Sequence, residues 1–371
     1  MPEYKKAHFV PVSYLKLFSG NQVTFHSYSV DRNVFMANIA VANQCQKDYL
    51  YGKEKEIEEL LGKQEESFVR LLKAINQDPS KSSILSDDNV FFQIITMLNL
   101  QYTRTLDNIR NQSVLKNEFR KIKEKRIKNH DDAISDAPIQ LHSLKALMDG
   151  IECAVLSLDL KLTIIQNDSD TKFITSDAPV IIYNLLFEKY LEKRAFGIAS
   201  KGLLVFYPIS PNTLIMLYDP NIYLLEGGNE IVEKITTNDV EFLNGLQVAN
   251  CSNNVYFRDE SEKLKVGEIV KRFSKNRVIK AKVEEIITPG STPEKGSSKI
   301  KTVLEKPYVD LDLSFIRILE NKVKEYIGDF PSENPEEITQ TLVRNQELLD
   351  YQNKEQKVQL LMSLLKETSL E

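Results

Sequence analysis

The chain is poor in cysteine, with three in 371 residues, and Cys45, Cys153 and Cys251 lie far apart. An odd number without close spacing excludes a disulfide framework and a zinc ribbon, which leaves small core residues in a reducing, cytoplasmic setting. Long apolar runs are also missing. The opening Met-Pro-Glu-Tyr-Lys-Lys lacks the apolar core of a secretory signal. No window approaches the roughly 20 apolar residues of a membrane span. The nearest, Val90 to Leu100, holds Gln93 and Asn99 and runs into Gln101 and Arg104. Charge of one sign does not dominate: the formal net charge is −5, which gives no whole-chain attraction to nucleic acid or anionic membrane. There is no P-loop, no dinucleotide-binding glycine pattern, no nucleic-acid-binding zinc module and no Gly-x-Ser-x-Gly elbow. No repeat of fixed period runs through the chain.

What is present starts early. His8-Phe9-Val10-Pro11 and Tyr14-Leu15-Lys16-Leu17-Phe18 pack a histidine, a rigid proline and an apolar run near the start, which predicts a docked terminus. Gln22 to Val30 alternates as a half-buried strand, with His26 on its polar side as a surface residue, and Val34 to Ala42 is a second strand or an irregular run. From Lys53 the period becomes helical. Lys53 to Asn76 forms an amphipathic helix ending at Asp78-Pro79-Ser80. Ser86-Asp87-Asp88 caps another, from about Asn89 to beyond Arg110, continuing into Lys116 to Lys128. A third helix spans Ile139 to Leu158.

Strands follow at Leu160 to Gln166, Lys172 to Thr175, Val180 to Tyr183, Leu203 to Tyr207 and Leu214 to Tyr218. Asn167-Asp168-Ser169-Asp170 suits a hairpin between the first two. Thr236 to Ala249 is a helix with a capping box, Thr236-x-x-Asp239, and Val255 to Phe257 is a short strand. Residues 288–301 have linker composition. Leu313 to Ile327 and Gln346 to Lys366 read as amphipathic helices about a Pro-rich break at Phe330 to Pro335. The expected architecture is α+β: a mixed or antiparallel sheet packed against an inserted helical block (about 53–158), with a helical C-terminal tail. The expected organisation is a main domain over 1–287, a linker over 288–301 and a helical region over 302–371.

Three ordered stretches together resemble a bacterial family known as domain of unknown function 4238. They are His8-Phe9-Val10-Pro11 with Tyr14-Leu15-Lys16-x-Phe18, then Gln101-x-x-Arg104-Thr105, then Phe173-Ile174-Thr175-Ser176-Asp177-x-Pro179-Val180 with Phe206-Tyr207-Pro208-Ile209-Ser210-Pro211 downstream. The likeness covers roughly residues 3 to 260. Ala178 stands where such proteins more commonly carry Asn. The resemblance implies fold-level kinship and no mechanism, because the family's activity is unassigned.

The candidate chemistry rests on few residues. His8 is an acid/base, a ligand or a bonded core histidine, and without a second histidine at ligand spacing it does not hold zinc. Gln101 and Arg104 continue the buried stripe of Ile94, Met97 and Leu98. An inward guanidinium needs a carboxylate such as Asp177 or Glu65, or else an anion in a cleft. Ser176 and Asp177 sit at a strand end, as a catalytic pair or as ordinary turn formers. Glu58 and Glu65 share a helix face and, with Asp177, form an oxygen-ligand set for a divalent cation such as Mg or Mn. Lys116 to Lys128 carries seven basic and two acidic residues. It is a solvated helix or a phosphate-contact surface, with Lys121, Lys123, Lys125 and Arg126 as the nucleic-acid contacts.

Two functional expectations follow. One is a hydrolytic or nuclease-like effector, in a bacterial anti-phage setting, with His8, Gln101, Arg104, Ser176 and Asp177 meeting in one cleft. The other is a non-catalytic sensor or adaptor whose C-terminal helices bind a protein partner. Cofactor identity is left open, and no membrane is involved.

Overall fold

The computed structural model describes residues 6–53, 56–79, 86–126, 138–191, 196–226, 231–277, 281–287, 298–304, 306–327 and 343–345. The chain opens with β1 (Lys6–His8), α1 (Val12–Leu15), β2 (Thr24–Ser29), β3 (Val34–Ala40) and β4 (Gln46–Asp48). The helical block is α2 (Glu56–Gln77), α3 (Asp88–Thr103), α4 (Leu106–Arg126) and α5 (Ile139–Val155). Then come β5 (Lys161–Gln166), β6 (Thr175–Ser176), β7 (Ile181–Tyr183), α6 (Leu185–Leu191), β8 (Leu204–Ser210) and β9 (Thr213–Tyr218). The remainder is β10 (Tyr223–Leu225), β11 (Ile231–Val232), α7 (Thr237–Asn250), β12 (Asn254–Phe257), α8 (Lys263–Phe273), β13 (Ala281–Ile287), β14 (Ser298–Leu304), β15 (Ile316–Ile318) and α9 (Glu320–Ile327). The fold is α+β, as the segregation of helices and strands along the sequence implied.

Two sheets organise it. One has the order β3-β2-β12-β6, antiparallel throughout; the other has the order β11-β5-β9-β8-β7, antiparallel except for the β11–β5 pair. Between them runs α7, touching β6, β7, β12 and α8. Almost every residue of α7 from Asp239 to Ala249 is buried, so it has no polar face. Its start is fixed by the expected capping box, with Thr236 and Asp239 bonded reciprocally. Asp239 also accepts from the amide and hydroxyl of Ser314, at 2.7 Å each. That bond draws the late segment into the body, where Val309, Leu311, Leu313, Phe315 and Ile316 are buried.

The hairpin of β8 and β9 is buried on both faces, which accounts for its near-continuous apolar sequence. Pro208 lies within it, where a missing N–H ordinarily costs a ladder bond. Here β7 pairs only as far as Phe206, so the outer edge at Pro208 has no strand to serve. Its carbonyl instead accepts the Tyr14 hydroxyl at 2.7 Å.

Several expectations are corrected. The long helix from Asn89 breaks at Arg104–Thr105 into α3 and α4; its expected cap, Asp87, is in place and accepts from Asn89 and Val90. The stretch at 167–170 does not form a hairpin, because β5 pairs with β9 and β11 while β6 pairs with β12 in the other sheet. The turn is local: Asn167 accepts from the Ser169 amide and the chain crosses between sheets. His26 is buried, not superficial, with Phe35 and Phe257 each 5.9 Å from its ring. Residues 298–301, read as linker, are part of β14, which pairs with β13. The helix expected over 313–327 begins only at Glu320, after a strand bonded to β10. Residues 288–297, the Pro-rich break and the helix expected at 346–366 lie outside the described residues.

Candidate functional site

The opening motif is tied down from three sides. His8 pairs with Gln46 across β1 and β4, and the Phe9 amide donates to the Cys45 carbonyl at 2.9 Å. Pro11 precedes α1 and fixes the turn that buries Tyr14 and Leu15. The Tyr14 ring stacks on Tyr207 at 4.8 Å, and its hydroxyl lies 2.7 Å from Thr175 Oγ1. From α3, Gln101 Nε2 donates to the Phe9 carbonyl at 2.9 Å. The first, second and third sequence motifs are therefore bonded to one another, through Gln101 to Phe9 and through Tyr14 to Thr175 and Pro208.

Arg104 sits at the break after α3 and is 1 % exposed. Its Nη1 donates to Glu65 Oε1 at 2.6 Å, while Nε and Nη2 donate to Gln101 Oε1 at 3.2 and 2.8 Å. Of the two carboxylates foreseen for it, Glu65 is the partner. Burial opposes the charge, but the Glu65 carboxylate and the Tyr51 hydroxyl outweigh it and hold the guanidinium pKa above its ordinary value.

On the other side of this ion pair lies a groove of about 250 Å³, lined by His8, Ser13, Tyr51, Glu58, Glu65 and Glu66 together with α2 backbone and apolar groups. His8 is half-buried, and its Nε2 lies 3.2 Å from the Ala42 carbonyl. A carbonyl only accepts, so Nε2 carries the proton and Nδ1 is the basic nitrogen. Glu58 is pushed above the ordinary carboxylate range, by burial first and then by Glu65. Tyr51 comes from a turn with left-handed Tyr49 (φ 52) and Gly52 (φ 108) on either side. Its hydroxyl is buried beside Arg104, Glu65 and Glu58, yet has no hydrogen bond of ordinary geometry.

Ser176 and Asp177 are not in the lining of this groove, and their oxygens are occupied elsewhere. Ser176 Oγ donates to Gln247 Oε1 at 2.7 Å and accepts from the Ala178 amide. Asp177 accepts from the backbone amides of Ser252, Asn253 and Asn254, at 2.8, 2.8 and 3.0 Å. Burial still pushes its carboxyl up to about 6, with those three amides lowering it and Asp107 adding to the rise. The single cleft expected to gather all five residues is therefore replaced by an open groove at His8 and a sealed network behind it.

Sequence reasoning found Glu58 and Glu65 but gave Tyr51 no role. Its hydroxyl lies beside Arg104, 53 residues away in sequence, a contact that no local signal announces. Of the basic residues, Lys121 is exposed and paired with Glu118 at 2.7 Å; the side chains of Lys123, Lys125 and Arg126 lie outside the described residues. Among the described residues, no group of three or more His, Cys, Asp and Glu side chains is arranged to hold a metal ion. No helix among them is long and apolar enough to cross a membrane.

Fold and site thus define an α+β protein whose three motif stretches are cross-bonded around a groove. The chain belongs to the family described as protein of unknown function (DUF4238), whose model matches residues 6–261. No curated protein and no solved structure matches the chain at a significant level.

Proposed function

We propose that the chain is a hydrolase, in its most specific form a nuclease-like effector, whose working groups are His8 and Glu58. The observation that carries this is the pairing of a half-exposed histidine of defined tautomer with a carboxyl held towards its protonated form in one groove. With Nε2–H spent on Ala42, Nδ1 can take a proton from an attacking water. Glu58 is suited to give one to the leaving group. Gln101 and Arg104 act from behind, by fixing Glu65. For a phosphoester substrate, the carboxylates of Glu65 and Glu66 in the groove oppose the anion, Glu65 partly offset by Arg104. If magnesium or manganese takes part, Glu65 and Glu66 would be the residues to hold it, and it would supply the positive charge that the phosphate needs.

The test is cleavage of labelled single- and double-stranded DNA and RNA, and of a generic phosphodiester, with and without Mg or Mn. General acid/base groups contribute about 10²- to 10⁴-fold. His8→Gln and Glu58→Gln, each with an unchanged thermal transition, are expected to lose activity on that scale. A wild-type protein that cleaves nothing ends the hydrolase reading. The second reading, a non-catalytic sensor or adaptor, is favoured by the burial and full pairing of Gln101, Arg104, Ser176 and Asp177. It predicts that the groove variants change nothing measurable.

A further inference from the structure

Two helix glycines are explained by packing. At Gly150 of α5 a Cβ would lie 2.7 Å from Thr103 Oγ1, and at Gly245 of α7 it would lie 2.7 Å from the Phe273 ring. Gly62 of α2 is different. It sits nearly two turns inside a 22-residue helix, with no left-handed φ, and a Cβ there would meet no atom within 4 Å. Neither backbone conformation nor packing calls for a glycine at that place. Inside a helix it weakens stability relative to alanine, through chain entropy. Gly62 does line the groove that holds His8 and Glu58. Glu58, Gly62 and Glu66 follow at i, i+4 and i+8, so they share one face of α2, and all three line the groove with Glu65. The two outer residues stand ~12 Å apart along the helix axis, with bare backbone between them.

We infer that this notch seats the non-leaving group of the substrate and that Gly62 sets how bulky that group can be, an inference which rests on the hydrolase reading of His8 and Glu58. In that reading His8 Nδ1 takes a proton from the attacking water and Glu58 protonates the leaving group. The non-leaving group is what remains to be placed, and the open floor beside Glu58 is Gly62. The groove, of about 250 Å³, falls below the ~300–1,000 Å³ of pockets that enclose a drug-sized ligand, so it takes a fragment and not a whole chain. The fitting class is an ester, phosphodiesters included, whose non-leaving group is slender and unbranched. A side chain at 62 would project into the space such a group occupies, over the approach to His8. The helix stability given up at Gly62 thus keeps the way to His8 open.

The experiment compares the full wild-type chain with Gly62→Ala and Gly62→Leu. Diethyl pyrocarbonate, which acylates a basic imidazole nitrogen, reads the access to His8, with peptide mass spectrometry following each histidine. Gly62→Leu is expected to slow acylation of His8 about five-fold or more, the least that overpacking by a bulky side chain costs, and to leave the other histidines unchanged. Gly62→Ala should raise Tm by about 1–2 °C, because the helix gains an alanine and loses no contact. With Mg or Mn, it should lose about ten-fold or more in kcat/KM on bis(p-nitrophenyl) phosphate. The loss should be smaller on methyl p-nitrophenyl phosphate, which has the same leaving group. Unchanged acylation of His8 in a folded Gly62→Leu protein overturns the inference, as does a fall in Tm for Gly62→Ala. So does an equal loss, or none, on the two esters. Slowed acylation with no cleavage by the wild type ends the hydrolase reading, and leaves Gly62 as the residue that controls access to His8. Where Gly62→Leu does not fold, Gly62→Ala decides, and an unchanged acylation rate there overturns the inference.

Discussion

Replacing Arg104 with Ala tests whether the buried ion pair frames the groove. The guanidinium is 1 % exposed and the Glu65 side chain 17 %, so removing the cation strands a carboxylate that water reaches only in part. Breaking a buried pair costs about 3–5 kcal/mol, and partial exposure of Glu65 favours the lower half of that range. Gln101 Oε1 also loses both of its donors, and a buried acceptor left unsatisfied costs about 1–3 kcal/mol. The two losses share one guanidinium and overlap, so a net cost of about 4 kcal/mol is expected. At ~2 °C per kcal/mol for a large domain, Tm falls by about 8 °C or more. Glu65→Ala should cost at least as much, because it leaves the more deeply buried charge alone. The double variant should cost less than the sum of the two singles, by a coupling of about 2 kcal/mol. Thermal and urea unfolding of the four proteins measures this. An Arg104→Ala Tm within 1–2 °C of wild type, taken on the scale of ~2 °C per kcal/mol, or fully additive single costs, would refute the reasoning.

Three further outcomes follow from the same geometry. In Asp177→Asn, an amide NH₂ confronts backbone amides that now donate to a carboxylate, at a cost on the order of 3 kcal/mol at pH 7. The Asp177 carboxyl, raised to about 6 from 3.8, holds a proton in the fold that the unfolded chain has released between those values. Its contribution to stability therefore grows as pH falls from 6 to 4, and the Tm gap between wild type and Asp177→Asn should widen over that range. Tyr14→Phe deletes the hydroxyl bonded at Thr175 and Pro208, and should cost about 1–3 kcal/mol in urea denaturation. Gly245 on α7 has no room for a methyl group, since a Cβ there would lie 2.7 Å from the Phe273 ring; Gly245→Ala should lower stability by about 1–3 kcal/mol by the same measurement.

The parts legible in the sequence are those whose signal is local. The amphipathic period of α2, the Asp87 cap and the Thr236–Asp239 box each act within a few residues, and each is where the pattern puts it. The period of Val266, Ile269, Val270 and Phe273 is likewise local and matches α8. The break at Arg104–Thr105 carries no proline or glycine. At the break the Arg104 side chain bonds Gln101 and reaches Glu65, a contact 39 residues away. Asp177 reads equally as a catalyst or a turn former, because its true partners, amides 75 to 77 residues downstream, leave no trace nearby. The strand in that stretch, β6, is two residues long, which is too short for any period to show. Of the candidate site, the helical spacing of Glu58 and Glu65 was visible, whereas the Tyr51 hydroxyl and the role of Ala42 in setting the His8 tautomer emerge only from tertiary contacts.

The account's central claim is that the groove at His8 does the chemistry while the Arg104 network only frames it. Its most direct test is the phosphodiesterase activity of His8→Gln beside wild type, with magnesium or manganese, well below the Tm of both. The account predicts a loss of about 10²-fold or more with an unchanged thermal transition. Equal activity in the two proteins, or none in the wild type under any metal condition, would contradict it.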